Sequence, residues 1–132
     1  MKPGERIDDQ EFPSVTREQL RAYAESSGDP NPIHLDEDAA RSAGLPGIIA
    51  HGMLIAGLIA ERGRRVQAEL GPGWRFSCFR TRFKAMTFVG EVILVGGQVK
   101  SALEDEITLD LEAKNLRGEV KTQATLQLIR VR

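Results

Sequence analysis

Residues 51–70 read His-Gly-Met-Leu-Ile-Ala-Gly-Leu-Ile-Ala-Glu-Arg-Gly-Arg-Arg-Val-Gln-Ala-Glu-Leu, apolar on nearly every side until charge arrives at Glu61, Arg62, Arg64 and Arg65. That pattern predicts a helix over 52–70, and a helix apolar all round has to be enclosed by the rest of the chain. The apolar stretch 48–60 is interrupted by His51 and falls short of the roughly 20 residues a membrane span needs, so a buried helix is expected instead. The chain that follows supplies the enclosure. Period-2 runs over 74–87, 91–101, 106–115 and 119–130 are separated by Gly90, by residues 102–105 and by residues 115–118, and they read as antiparallel strands. In the last of them Val120, Thr122, Ala124, Leu126 and Leu128 alternate with Lys121, Gln123, Thr125 and Gln127, which turns the first set inward and the second outward. In the first strand the apolar phase slips from Trp74, Phe76 and Cys78 to Phe79, Thr81 and Phe83, as a bulge near Cys78 or Phe79 would produce. The expected fold is α+β: a curved antiparallel sheet wrapped around one long central helix, as one domain over residues 1–132.

Upstream, residues 5–12 are polar enough to form at most a short edge strand. Thr16-Arg17-Glu18-Gln19 has the form of a capping box, and Leu20, Tyr23 and Ala24 follow at helical spacing, so a helix is expected over 17–26 and ends at Gly28. A second short helix should start at Asp36 and stop at Gly44. With 41% hydrophobic and 28% charged residues the composition is that of a globular protein. The net charge of -1 gives no reason to invoke nucleic acid. Cys78, the only cysteine, reads as a small apolar strand residue, and Met1 to Arg6 contain no signal-peptide apolar core. A cytoplasmic setting is expected, with no membrane contact.

Residues 28–34, Gly-Asp-Pro-Asn-Pro-Ile-His, carry the chemistry. Each proline fixes its own φ and restricts the residue before it, so Asp29 and Asn31 cannot continue a helix and the segment must be a shaped loop. An Asp and a His held on such a loop can share one water, one taking its proton while the other supplies a proton elsewhere. The plainer reading is a turn with Asp29 capping and His34 half-buried. The second of the two histidines, His51, opens the long helix, and Gly52 falls in its first turn. There the N–H groups lack intrahelical partners, and a glycine lets a ligand oxygen come close.

Tyr23, the run Ser27-Gly28-Asp29-Pro30-Asn31-Pro32-Ile33-His34, Ala39 and Ala40, Ile49-Ala50-His51-Gly52-Met53, and Phe83-Lys84-Ala85-Met86-Thr87-Phe88-Val89-Gly90-Glu91 stand in this order along most of the chain. In this the sequence resembles the MaoC-like, R-specific enoyl-CoA hydratases of the hydratase 2 type. It departs from them at Ser26, where an aliphatic residue is more usual, and at Ala85-Met86-Thr87, where a proline is common. The resemblance implies a hot-dog fold and pairing of two such units, as a homodimer or a heterodimer. It also implies (R)-specific hydration of 2-enoyl thioesters, or dehydration of 3-hydroxyacyl thioesters, with Asp29 and His34 as the catalytic pair.

The remaining candidates follow from that chemistry. The Gly52 N–H is the oxyanion donor, and Asn31 supports the loop or the water unless it only bonds its own backbone. His51 is read as a structural histidine bonding loop carbonyls. Met53, Leu54 and Phe83 would line an acyl site, although core filling accounts for them equally well. Arg62, Arg64, Arg65, Arg80, Arg82 and Lys84 could meet the phosphates of coenzyme A or an acidic carrier protein. No metal is expected, since no Cys or third ligand stands at characteristic spacing. No cofactor is expected beyond the coenzyme A or carrier-protein thioester of the substrate. A hot-dog thioesterase and a non-catalytic acyl-binding subunit are the competing functions.

Overall fold

A computed structural model describes residues 1–131. Five strands form one antiparallel sheet: β1 (Arg6–Phe12), β2 (Trp74–Phe83), β3 (Ile93–Ala102), β4 (Glu106–Lys114) and β5 (Val120–Arg130), in the order β1-β3-β4-β5-β2. The long helix α3 (Gly52–Leu70) packs against β2, β3, β4 and β5. Ile55, Ile59 and Val66 on its inner face meet Val95, Val99, Leu109, Leu111, Leu126 and Leu128 of the sheet in one buried cluster. Alternation explains which sheet residues go in: Ile107, Leu109, Leu111 and Ala113 are buried, and their neighbours are not.

The sheet can curve around the helix because its ladders are interrupted. Register shifts occur between Ile7 and Gln10, between Phe76 and Cys78, and between Val99 and Ser101, and such bulges bend and coil a strand. The phase slip in β2 is therefore a bulge, one residue before the expected place. Helix and sheet come close at Gly63, where an added Cβ would collide with Leu126 Cδ2.

The smaller helices sit as their caps direct. In α1 (Arg17–Ser27) the Thr16 side chain accepts from Gln19 N–H, and the helix ends at Gly28 with φ 75°. In α2 (Glu37–Ser42) Asp36 accepts from Asp38 N–H. Between them Pro32–His34 form a single 3-10 turn.

Two expectations are corrected. The helix is not enclosed all round: Met53 is 59% exposed and Gly57 is exposed, because both lie on the face turned away from the sheet. The first strand ends at Phe83 rather than at residue 87. There the N–H groups of both Lys84 and Ala85 turn to one acceptor, Lys121 O, at 2.9 and 3.2 Å, which no regular ladder allows. Residues 84–91 leave the sheet as a strap, and β3 begins only at Ile93. No helix among the described residues is long and apolar enough to cross a membrane.

Candidate active site

The loop before the 3-10 turn is stiffened by a relay of side-chain caps. Ser27 Oγ accepts from Asp29 N–H at 3.3 Å, Asp29 Oδ1 from Asn31 N–H at 3.2 Å, and Asn31 Oδ1 from Ile33 N–H at 3.3 Å. The intervening Pro30 and Pro32 have no N–H to satisfy. Every backbone donor from 29 to 33 is thus either capped or absent, and the turn role weighed for Asn31 is the contact it makes.

His34 closes the turn. It is buried, and its Nδ1 lies 2.7 Å from Ile49 O; a carbonyl can only accept, so Nδ1 carries the proton. In the neutral ring this leaves the lone pair on Nε2. His51, 2% exposed, stacks on His34 with ring centroids 3.8 Å apart and planes at 26°, and the Tyr23 ring lies tilted against it at 4.8 Å. Its Nε2 donates to Asp29 O at 3.2 Å, while its buried Nδ1 has no partner. Burial holds the His51 pKa below its ordinary 6.5. The hydrogen bond to Asp29 opposes that shift, the neighbouring His34 adds to it, and the Asp29 charge opposes it weakly. His51 therefore favours its neutral form.

A carboxylate oxygen of Asp29 and one ring nitrogen each of His34 and His51 all lie within 4.8 Å of one another. Two hydrogen bonds of about 2.8 Å meeting at a tetrahedral water span about 4.6 Å, so Asp29 and His34 are within reach of one shared water. The same three groups are not disposed to chelate a metal. Ring lone pairs lie in the ring planes, and the two imidazoles are stacked, with centroids 3.8 Å apart and planes at 26°, rather than converging edge-on on one point as ligands of one ion do.

Beside His34 lies a cavity of about 330 Å³ lined by His34, Ile49, Ala50, Gly52, Ile55, Phe83, Thr122 and the strap residues 84–87. Asp29 is exposed and does not line it. Gly52 is the first residue of α3, so its N–H has no intrahelical partner. A Cβ at Gly52 would stand 3.0 Å from Phe83 Cε1, so a larger residue would press on the aromatic wall. Of the expected lining residues only Phe83 is there. Met53 points to the outside and Leu54 packs on the core, because the helix presents positions 52 and 55, three apart, to the cavity. A larger concavity of about 730 Å³ lies on the polar face of the sheet among Arg80, Arg82, Asp110 and Glu112, and it holds none of these groups.

Sequence reasoning missed the strap and its anchor. Lys121, placed outward by alternation, is 1% exposed, and its Nζ donates to Met86 O at 2.7 Å and Glu119 Oε1 at 2.7 Å and lies 3.0 Å from Glu91 Oε1. Glu91 also accepts from Phe88 N–H and from Asn115 Nδ2, both at 2.9 Å. Burial pushes its carboxyl pKa up. The bonds from Asn115, Phe88 and Lys121, with the Lys121 charge, outweigh burial and hold it below the ordinary 4.5. The acid of the Gly90-Glu91 turn was the only sequence signal for such a partner.

The MaoC-like domain family matches residues 1–123. The chain belongs to that family. Over 93 residues this MaoC-like domain is 37% identical to the fatty acid synthase beta subunit TOXC of Cochliobolus carbonum, covering 70% of this chain and 4% of that protein. It is 32% identical over 114 residues to a 3-hydroxybutyryl-CoA dehydratase of Methylorubrum extorquens, covering 75% of this chain and 71% of the relative. The solved (R)-hydratase from A. caviae involved in PHA biosynthesis superposes with a TM-score of 0.84 at 25% identity, over 100% of this chain and 98% of that one. The chain spans only 4% and 44% of the first two curated relatives it matches, the second being a mitochondrial 3-hydroxyacyl-[acyl-carrier-protein] dehydratase of Arabidopsis thaliana. The fold is thus the hot-dog fold, in a family of hydratases and dehydratases.

Proposed function

We propose that this MaoC-like domain adds water reversibly to 2-enoyl thioesters with R stereochemistry, and that Asp29 and His34 jointly hold the water. The observation that carries the reading is the approach of an Asp29 carboxylate oxygen and a His34 ring nitrogen to within 4.8 Å, with His34 lining the same cavity as Gly52. In the hydration direction the pair removes a proton from the water as its oxygen attacks the β carbon, and a proton is delivered to the α carbon. In dehydration the same groups run in reverse. The charge that builds on the thioester oxygen needs a donor, a role we assign to the Gly52 N–H at the positive end of α3; comparable donors contribute about 3 kcal/mol. The acyl group would lie in the cavity between Ile55, Phe83 and Met86, with the coenzyme A or carrier-protein arm outside.

The test is direct. Purified protein mixed with crotonyl-CoA should lose enoyl absorbance without releasing thiol. Thiol release would indicate a thioesterase, and neither change would leave an acyl-binding subunit or a different acyl substrate. Asp29→Asn and His34→Gln should each lower turnover at least about a hundredfold with unchanged circular dichroism, since positioned acid–base catalysis contributes roughly 10²- to 10⁴-fold. Near-normal turnover in either variant contradicts the assigned roles.

A further inference from the structure

Lys121 is the largest fully buried side chain among the described residues, and burying an ammonium is costly unless each of its protons is met. An ammonium has three donors. Here three oxygens from three places surround it: Met86 O in the middle of the strap, Glu91 Oε1 at its end, and Glu119 Oε1 at the entry to β5. The Phe88 ring lies 5.7 Å from the same nitrogen. The backbone of Lys121 holds the other end of the strap, because its carbonyl accepts from both Lys84 N–H and Ala85 N–H. One residue thus grips the strap at its start, middle and end.

That strap is a wall of the cavity. Lys84, Ala85, Met86 and Thr87 line it, and Thr122, the next residue after Lys121, lines it too. The wall also reaches the catalytic side, since Ala50 N–H donates to Thr87 O at 2.8 Å and Ile49 bridges Phe88. Stability alone does not account for a charge in this place. Replacing a buried ion pair by apolar residues of similar volume is often neutral or stabilising.

We infer that Lys121 is a positioning residue for substrate selection: its ammonium, through Met86 O and Glu91, fixes the acyl-facing wall and so sets which acyl groups the cavity admits. The inference rests on the acyl-thioester reading of the site. A wall held at three points resists displacement, and one methylene more or less against a rigid apolar wall is worth roughly 10- to 200-fold in discrimination. A wall held only by its ends yields to longer chains.

The test uses Lys121→Met, an unbranched side chain one heavy atom shorter, which removes the charge. Glu91→Gln removes the opposite charge and serves if the first variant fails to fold. The thermal midpoint should fall, because one partner of a buried pair is left uncompensated, while in the folded variant the ratio of kcat/KM for crotonyl-CoA to that for 2-octenoyl-CoA changes at least about tenfold. Amide hydrogen exchange of residues 84–91 should accelerate at least about tenfold, with the strands β3 and β4 unaffected. An unchanged ratio overturns the selectivity role even if exchange accelerates, and unchanged exchange overturns the anchoring itself. If the unchanged protein hydrates no enoyl thioester, the acyl-thioester reading fails separately, and the exchange measurement alone decides whether Lys121 fixes the wall.

Discussion

His51 shows how one residue can serve the site without touching a substrate. Its ring bonds the carbonyl of Asp29 and supports His34 by stacking, while its backbone stands at the N-cap position of α3, whose first amide is Gly52, without a side-chain cap bond. Because burial lowers its pKa from 6.5, the unfolded chain binds the proton more tightly than the folded one does. The stability this contributes is complete above pH 6.5 and is lost as pH falls from there toward the lower folded value. Glu91, also lowered, from 4.5, contributes stability that is complete above that value and lost on further acidification. Urea midpoints measured as a function of pH should therefore decline in two windows. His51→Gln, whose amide can still donate to Asp29 O, should flatten the upper window and leave the lower; an unaltered upper slope would refute the assignment. At this scale the local shapes around Asp29, His34 and Gly52 were legible because proline and glycine dictate backbone conformation whatever surrounds them. Lys121 was not, because alternation cannot tell a solvated lysine from one that meets three oxygens distant in sequence.

Elements with their own punctuation were read closely, and those that end for tertiary reasons were not. The helix predicted over 52–70 is α3, and Thr16, Gly28 and Asp36 cap where expected. The strand predicted to residue 87 stops at Phe83, because Lys121 O draws away two successive N–H groups, which no local signal announces. Within α3, Gly63 poses a conflict between levels. Alanine there should help an isolated helix by about 1 kcal/mol. The added methyl would lie 2.3 Å from Leu126 Cδ2, and Leu126 is fully buried, so the contact must be relieved by moving the helix or the core. Overpacking typically costs about 1–3 kcal/mol, which outweighs the propensity gain. Gly63→Ala should lower the denaturation midpoint, whereas Gly57→Ala, with open space around its Cβ position, should keep or raise it. A stabilised Gly63→Ala protein would show that the helix–sheet contact is looser than described.

The two edges of the sheet differ, and the difference bears on assembly. The β1 edge carries Arg6, Asp8, Asp9 and Glu11, charges of the kind that keep an edge strand from pairing. The β2 edge carries Phe76, Phe79 and Phe83, each at least 39% exposed, with Met53 of α3 and Met86 and Val89 of the strap also exposed. An apolar edge of this kind, beside a helix whose outer face is uncovered, fits a second hot-dog unit paired through β2 in an isologous interface. The same strand bears Arg75, Arg80 and Arg82, so two copies would bring like charges together, and added salt should strengthen their association rather than weaken it. Sedimentation should give twice the 14.6 kDa chain mass, with a dissociation constant that falls as salt rises. Phe79→Glu, which adds an unpaired carboxylate to the apolar edge, should shift the protein to the single-chain mass without altering its circular dichroism. Single-chain mass for the unchanged protein at all concentrations would rule out self-pairing, and the exposed β2 edge would then call for a different MaoC-like chain as its partner.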